Sequence, residues 1–459
     1  MLSRRLRVSP ADALREGFDQ IRAEAGVPEA FPPDAQAEAE AAAGSADDSP
    51  DARVDRPFVT IDPPGARDLD QALHIERRED GHRVSYAIAD VGAFVTPGGA
   101  LDREAHARGL TVYAPDEKTP LHPPVLSEGA ASLLPGEWRP AVLWTLDLDA
   151  RGELTATHVA RRVVRSVAQH TYEDVPSEVA EVLREVGERR LVLERARGGV
   201  RLERAEQEVV REGDGWTLHH RAPLETERHN EQISLLTGIA AAKLMLDAGV
   251  GILRTQPPPD EESLARLRLQ AAGLGIEWPQ ATPYPEFART LDPAVPAHAA
   301  LIQEAGGVGK GAGYTAFDGA PPEVGEHFAI AAPYAHATAP LRRLQDRYVL
   351  ACCLAACAGE PVPGDVRAAL PALPAEMAAA TKRTRTVERG VVDLVEAVLL
   401  QGREGERFAA VVVDDGVVQL REPAILAKLE GDAPEPGTAV TVSLVRADPE
   451  ARKVAFAVA

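Results

Sequence analysis

The stretch Thr60-Ile61-Asp62-Pro63-Pro64-Gly65-Ala66-Arg67-Asp68-Leu69-Asp70-Gln71-Ala72-Leu73 constrains the fold more than any other part of this chain. Phe58 to Ile61 are apolar or β-forming and predict a short strand, and Pro63-Pro64-Gly65 forces the backbone to reverse. Such a turn can bring three carboxylates, Asp62, Asp68 and Asp70, onto one point. In extended backbone Asp68 and Asp70, two apart, face the same way. Oxygen-only ligands without a neighbouring His or Cys suit magnesium or manganese rather than zinc, and such ions often act through a bound phosphate. Taken alone, an Asp-x-Asp reads as a solvated acidic turn, so the wider sequence has to decide.

After this stretch come Ile88-Ala89-Asp90-Val91, Pro97-Gly98, Leu101-Asp102-Arg103-Glu104-Ala105, Arg108-Gly109-Leu110-Thr111-Val112-Tyr113, Leu126-Ser127 and Ser132-Leu133. Further on stand Thr171-Tyr172-Glu173-Asp174-Val175, Arg197-Gly198-Gly199-Val200, Gly251-Ile252-Leu253-Arg254, Leu274-Gly275-Ile276, Ala312-Gly313-Tyr314 and Tyr334-Ala335-His336-Ala337-Thr338-Ala339-Pro340-Leu341-Arg342-Arg343. In content and order this series resembles the ribonuclease II family of processive RNA-degrading enzymes. The family's first signature carries four aspartates. Asp62, Asp68 and Asp70 stand at three of them and Gln71 at the fourth.

A chain of 459 residues with 45% hydrophobic content is long enough for two or three domains with full cores. No uninterrupted apolar span crosses a bilayer, because Lys243 and Asp247 break the best candidate, so a soluble, cytoplasmic protein is expected. Cys352, Cys353 and Cys357 form an odd set within one predicted helix and read as reduced core residues. The net charge of -21 argues against a nucleic-acid ligand only as a sum. Basic clusters occur at Arg4-Arg5-Leu6-Arg7, at Arg161-Arg162-Val163-Val164-Arg165, at Arg342-Arg343 with Arg347, and at Lys382-Arg383-Thr384-Arg385. The first two read as solvated surface, whereas Arg342-Arg343 sits inside a signature.

We expect an α+β protein in three parts. Residues 1–54 form a small helical module, helix-turn-helix-like as one option, with helices at Pro10 to Ala25, capped by Ser9, and at Asp34 to Ala43. This segment is too short, and too poor in aromatic and β-branched residues, for the two cold-shock barrels that family members usually carry there. Residues 55–402 resemble the family's mixed α/β catalytic domain, with a strand at Arg83 to Asp90 and a helix at Glu227 to Ala248. From 403 to 459, strands at Arg407 to Val413, Val417 to Arg421, Ala439 to Arg446 and Lys453 to Val458 suggest a five-stranded barrel, where the family ends in an OB-fold. This barrel is abbreviated, acidic and nearly without stacking aromatics.

The resemblance implies that Asp62, Asp68 and Asp70 hold Mg2+, with Mn2+ as the other option, and that Arg342 neutralises the scissile phosphate. It assigns RNA contacts to Tyr113, against terminal bases, to Tyr172, which sets product length, to Glu231 near a ribose, and to Glu388 near the 3′ end. Leu202 stands where an aromatic usually faces the tyrosine. For Tyr172 and Glu231 a structural role weighs about as much as a functional one; for Glu388 it weighs more. His336 reads as a neutral buried histidine as readily as a catalytic one, and Ala339 replaces a serine common in its signature. The expectation is a monomeric, magnesium-dependent 3′→5′ exoribonuclease that hydrolyses single-stranded RNA to nucleoside 5′-monophosphates without an obligatory protein partner. The alternatives are an RNA-binding or regulatory protein that keeps the fold without turnover, and a metal-dependent nuclease or phosphodiesterase on another substrate.

Overall fold

The computed structural model describes residues 11–45, 49–202, 206–212, 215–221, 223–306, 308–420 and 425–459. The basic run Arg4 to Arg7 and the Ser9-Pro10 helix start lie outside them, as does Arg421 at the end of one predicted strand. The chain begins with two helices, α1 (Ala11–Glu24) and α2 (Pro33–Gly44). Leu14, Phe18 and Ile21 recur at helical spacing on α1 and are buried. They meet Val387, Val391 and Leu394, which belong to a late helix. Arg22 reaches from α1 to Asp116 in a two-pronged pair, 2.8 and 3.0 Å, and Glu24 receives Arg452 from the far end of the chain at 2.7 and 2.9 Å. On α2, Glu38 accepts from the backbone N–H of Ala100 and Leu101 at 2.6 and 3.2 Å. The two helices thus pack on different elements.

A closed five-stranded barrel follows, from β1 (Arg53–Ile61), β2 (Gln71–Arg78) and β3 (Gly81–Ala89). Between β3 and the barrel's last strands lie α3 (Ala100–Arg108) and the small hairpin β4 (Val112–Tyr113) and β5 (Lys118–Thr119). Strands β6 (Trp138–Asp149) and β7 (Leu154–His170) complete the order β1-β2-β3-β6-β7, and β7 closes back on β1 in parallel. The period of two divides the residues of β3 and β6 by size. Val84, Tyr86, Ile88, Val142, Trp144 and Leu146 fill one core, while Ala87, Ala89 and Ala141 face another with Phe58 and Leu69. Asp90, predicted to end β3, leaves the strand because its carboxylate takes Arg161 at 2.7 Å. Within that basic cluster Arg162 is exposed, and Arg165 lies 4.9 Å over the Trp138 ring.

The rest of the chain builds a wall over the large-residue core. It contains α4 (Ser177–Ala196), the hairpin β8 (Glu206–Glu212) and β9 (Gly215–Arg221), α5 (Glu225–Ala248), β10 (Val250–Thr255), α6 (Glu261–Gly273), α7 (Tyr284–Ala288), α8 (Pro296–Ala305) and β11 (Gly313–Asp318). Then come α9 (Leu344–Ala358), α10 (Gly364–Ala369) and the long α11 (Leu373–Leu400). Helix α5 is the hub, burying Ile233, Leu236, Ala240, Ala241 and Met245 against α9 and the barrel. Side chains of this size stabilise by ~1.5–3 kcal/mol each when fully buried. Cys352 and Cys353 are buried free thiols on α9, and burial pushes Cys352 up to about 12. Among the described residues no helix is long and apolar enough to cross a membrane.

A second closed barrel ends the chain: β12 (Arg407–Asp414), β13 (Val417–Leu420), β14 (Leu426–Glu430), β15 (Ala439–Asp448) and β16 (Lys453–Val458). Its order, β12-β13-β14-β16-β15 with β14 and β16 parallel, is consistent with an OB-fold. Phe408 and Phe456 meet edge to face at 5.6 Å in its interior, so neither is available for stacking on a ligand.

The hub also fixes one crossing. A Cβ on Gly238 of α5 would lie 2.1 Å from the Tyr334 ring and 2.5 Å from the Ala335 carbonyl, which sits there because Ala335 N–H donates to Gly238. Gly238→Ala should therefore displace the segment after Tyr334 and destabilise the protein by roughly 1–3 kcal/mol or more. Urea midpoints of the two proteins check this, and an unchanged midpoint would refute the crossing.

Candidate active site

The loop between β1 and β2 carries the three aspartates, and hydrogen bonds from the flanking elements hold it. Asp62 N–H donates to His170 at 3.0 Å, extending the β1–β7 pairing. Gly65 takes φ +80, a left-handed turn that L side chains resist. Ser132, fully buried, donates to the Arg67 carbonyl at 2.6 Å and accepts from Leu69 N–H at 3.0 Å, and Leu133 N–H donates to Leu69 at 3.0 Å. The Ser132-Leu133 motif thus anchors the aspartate loop.

Asp70 emerges from this anchor into the interior, where the segment from Tyr334 to Arg343 meets it. Its Oδ1 accepts from Leu341 N–H at 2.7 Å and its Oδ2 from Arg342 Nε at 3.0 Å. That segment is folded by Asp346 at the start of α9, which is fully buried, accepts from Ala339 N–H at 2.7 Å and grips Arg343 at 2.8 Å. The side chain of Ala339 is itself fully buried. Burial pushes Asp70 up to about 7 despite the opposing Arg342 and Leu341 N–H, and Asp62 up to about 6.

The three carboxylates do not gather as the sequence leads one to expect. Among the described residues the only His, Cys, Asp or Glu trio whose ligand atoms all lie within 4.8 Å is Glu188, Glu225 and His229, away from this loop. Asp68 and Asp70 lie in a stretch, residues 66–70, that belongs to no strand. Each also has its own cation. Lys118 of β5 sits 2.6 Å from Asp68, which Tyr113 also donates to at 2.7 Å, while Arg342 holds Asp70. Asp62 Oδ2 is buried without a hydrogen-bond partner. Gln71, at the fourth position, accepts from the Tyr86 hydroxyl at 2.6 Å, and that hydroxyl also meets Ser234 at 3.0 Å.

A cavity of about 780 Å3 opens beside this cluster, with Gln71, Tyr172, Glu231, Ser234, Arg254 and Arg342 in its lining. Tyr172 and Glu231 therefore join the site, Glu231 paired to Arg201 at 3.0 Å. Leu202 lines the cavity too, whereas Tyr113, 45% exposed, stands at Asp68 and outside its lining. Glu388 is exposed on α11 and lines neither this cavity nor the larger one described next. His336 lines the cavity and meets the Tyr314 hydroxyl at 2.7 Å; burial, with Arg343 nearby, holds it well below the usual histidine value. A cleft of about 1190 Å3 runs between α11 and the terminal barrel, with Lys382, Arg385, Arg389, Lys428 and Arg446 on its walls. Arg254 lines both spaces. Tyr86, Lys118 and Ser234 escape sequence reasoning, since each is a single polar residue whose partners lie far away in the chain.

The aspartate loop fits a hard divalent cation on its own chemistry. Its donors are all oxygens, one of them a buried carboxylate oxygen lacking any partner, and both Asp62 and Asp70 are costly anions that a cation would relieve.

Comparison with known proteins agrees with this architecture. The family model described as RNB domain matches residues 53–357, and the RNase II-type exonuclease C-terminal S1 domain matches residues 406–459. Ribonuclease R of Escherichia coli (strain K12) is 31% identical over 316 residues, covering 64% of this chain and 38% of that protein. This chain thus spans well under half of that relative's length. The DIS3-like exonuclease 2 of Arabidopsis thaliana is 41% identical over 132 residues, 27% of this chain and 12% of that protein. Among solved structures, the apo form of Mycoplasma genitalium RNase R superposes with a TM-score of 0.87 at 16% identity, over 98% of this chain and 78% of that one. Yeast Ssd1, described as a pseudonuclease, reaches 0.63 at 16% identity over 81% of this chain and 49% of that one. These likenesses establish the fold.

The raised Asp62 has a measurable consequence. Its folded value of about 6 exceeds the ordinary ~3.9, so the folded state binds the extra proton between those values. The cost of the buried anion is full above pH ~6 and vanishes below pH ~4. In chelator-treated protein Asp62→Asn should raise stability by about 3 kcal/mol at pH 8 and by nothing near pH 4. Denaturant titrations at the two pH values decide it, and a pH-independent difference would count against the burial argument.

Proposed function

Because the chain belongs to the RNB-domain family, we propose that it is a divalent-metal-dependent 3′→5′ exoribonuclease that hydrolyses single-stranded RNA to nucleoside 5′-monophosphates. The observation that carries this reading is the pairing of buried Asp70 with Arg342 at the edge of a cavity that shares Arg254 with a cleft rich in basic residues. A phosphodiester resists attack because its anionic oxygens repel the nucleophile and its leaving oxygen gains charge. Asp62, Asp68 and Asp70 would hold the cation, Mg2+ or Mn2+, which when bound would supply a Lewis acid and an acidified water. Asp70 occupies Nε of Arg342, leaving both terminal nitrogens of a side chain 45% exposed for phosphate oxygens. Tyr172 offers a ring to the terminal bases, and Glu231, held by Arg201, offers an acceptor to a ribose hydroxyl.

The cleft supplies grip by charge. Lys382 and Arg385 of α11 line it together with Lys428 and Arg446 of the terminal barrel, cations that suit a backbone of phosphates. The barrel's phenylalanines are buried, so stacking there contributes little. One observation favours a second reading, an RNA-binding protein without turnover. Gln71 brings no charge to the site, and its amide oxygen is already taken by Tyr86.

Incubation of 5′-labelled single-stranded RNA with Mg2+ or Mn2+ separates the two readings. Ladder shortening with release of monophosphates is expected; retained full-length label with every divalent ion would favour the second. Arg342→Ala should lower kcat by at least about tenfold with a smaller effect on RNA affinity, and Arg342→Lys should not restore it fully. A change in KM alone would make Arg342 a positioning contact. Gln71→Glu, which keeps the reach to Tyr86 and adds a charge, should lower the metal concentration giving half-maximal rate. If Lys382 and Arg385 each contact a phosphate, changing both to Ala should reduce the slope of log affinity against log salt by about 0.7 per contact, seen in filter binding of long RNA.

A further inference from the structure

We infer that Glu188, Glu225 and His229 form a second divalent-cation site, of the zinc class, that staples α4 to α5 on the side of the wall away from the cavity. This inference stands independently of the proposed nuclease activity. One ligand atom from each of the three side chains lies within 4.8 Å of the others. Glu225 and His229 are four apart on α5 and so share a face, and Glu188 meets them from α4. The histidine carries the argument. It is only 4% exposed, and no hydrogen bond reaches its ring among the described residues. Its ring nitrogens keep some contact with solvent beside the two carboxylates, and a cation at this point is the partner the geometry offers.

The backbone is built around that ring. Gly187 precedes Glu188, and a Cβ there would lie 2.6 Å from His229 Cδ2 and 2.7 Å from its Cβ, so the ring reaches the carboxylates only because position 187 has no side chain. Burial keeps His229 below the usual histidine value, hence neutral and able to donate a lone pair. Glu188 and Glu225 are exposed and free to rotate toward ligand distances of ~2.0–2.2 Å. An exposed contact from Arg184 to Glu188 at 3.3 Å is the competitor a cation must displace. One imidazole nitrogen with two carboxylates suits Zn2+, Co2+ or Mn2+ better than Mg2+, whose sites are made of oxygen. The fourth position is left to water, as three protein ligands leave it in other zinc sites. The next residues on α5, Asn230 and Glu231, turn toward the cavity, and α4 contributes Glu194 to the same lining. A staple on the outer side therefore fixes the spacing of two helices whose inner sides line the site.

The test uses the full chain, stripped by chelator and then given excess Mg2+ so that oxygen-only sites are filled. Zinc is titrated calorimetrically, and Co2+ absorption reports nitrogen ligation. One tight Zn2+ site is expected in the parent protein, with a rise in melting temperature. Glu188→Gln and Glu225→Gln, both at exposed positions, should each weaken it at least about tenfold and remove that thermal shift. His229→Gln should abolish the Co2+ signature; the two glutamate variants keep the test decisive if the buried change fails to fold. Unchanged Zn2+ affinity in Glu188→Gln, or no Zn2+ binding in excess Mg2+, would overturn the inference.

Discussion

The clasp of Asp70 by the Leu341 amide and the Arg342 guanidinium is the contact on which the rest of this site depends. It joins positions 271 and 272 residues apart, and so ties the aspartate loop to the far end of the wall that runs from β7 to α9. Each side of the clasp is separately braced, by Ser132 under the aspartate loop and by Asp346 under the arginine. A buried carboxylate alone would be costly; sharing it between a backbone donor and a permanent cation makes it tolerable, though burial still raises it to about 7. The same tension keeps Asp70 receptive to further positive charge.

Much of this was legible from the sequence, and the reason is local chemistry. The strand before Asp62, the Pro-Pro-Gly reversal, the hub helix and the strands of the terminal barrel follow from periodicity and turn residues acting over short spans. Arg342, Tyr172 and Glu231 line one cavity beside Asp70, yet their partners could not be read off. Lys118 on Asp68 and Tyr86 on Gln71 depend on how the β4–β5 hairpin and β3 dock, and nothing within a few residues of either signals it. Asp68 and Asp70 meet different cations, Lys118 and Arg342, neither of which lies near them in the chain. Glu388 stands exposed on α11 outside both cavity linings, on a helix face that its own sequence does not fix.

The chain keeps two closed barrels and the wall between them while spanning 38% of the length of its Escherichia coli relative. Function in such a fold resides in the side chains rather than in the architecture, as the likeness both to an RNase R and to a pseudonuclease at 16% identity illustrates. Here the informative side chains are Asp62, left with an unsatisfied oxygen, and Gln71, already engaged by tyrosine.

The first helix touches more than its position in the chain suggests. Through Glu24 it holds Arg452 of the terminal barrel, and through Arg22 it holds Asp116, in the turn of the hairpin that carries Tyr113 and Lys118 to Asp68. Helix α1 is thus a strut between the terminal barrel and the hairpin beside the aspartates. Trimming the N-terminus would loosen two supports at once, one of them next to the aspartate loop.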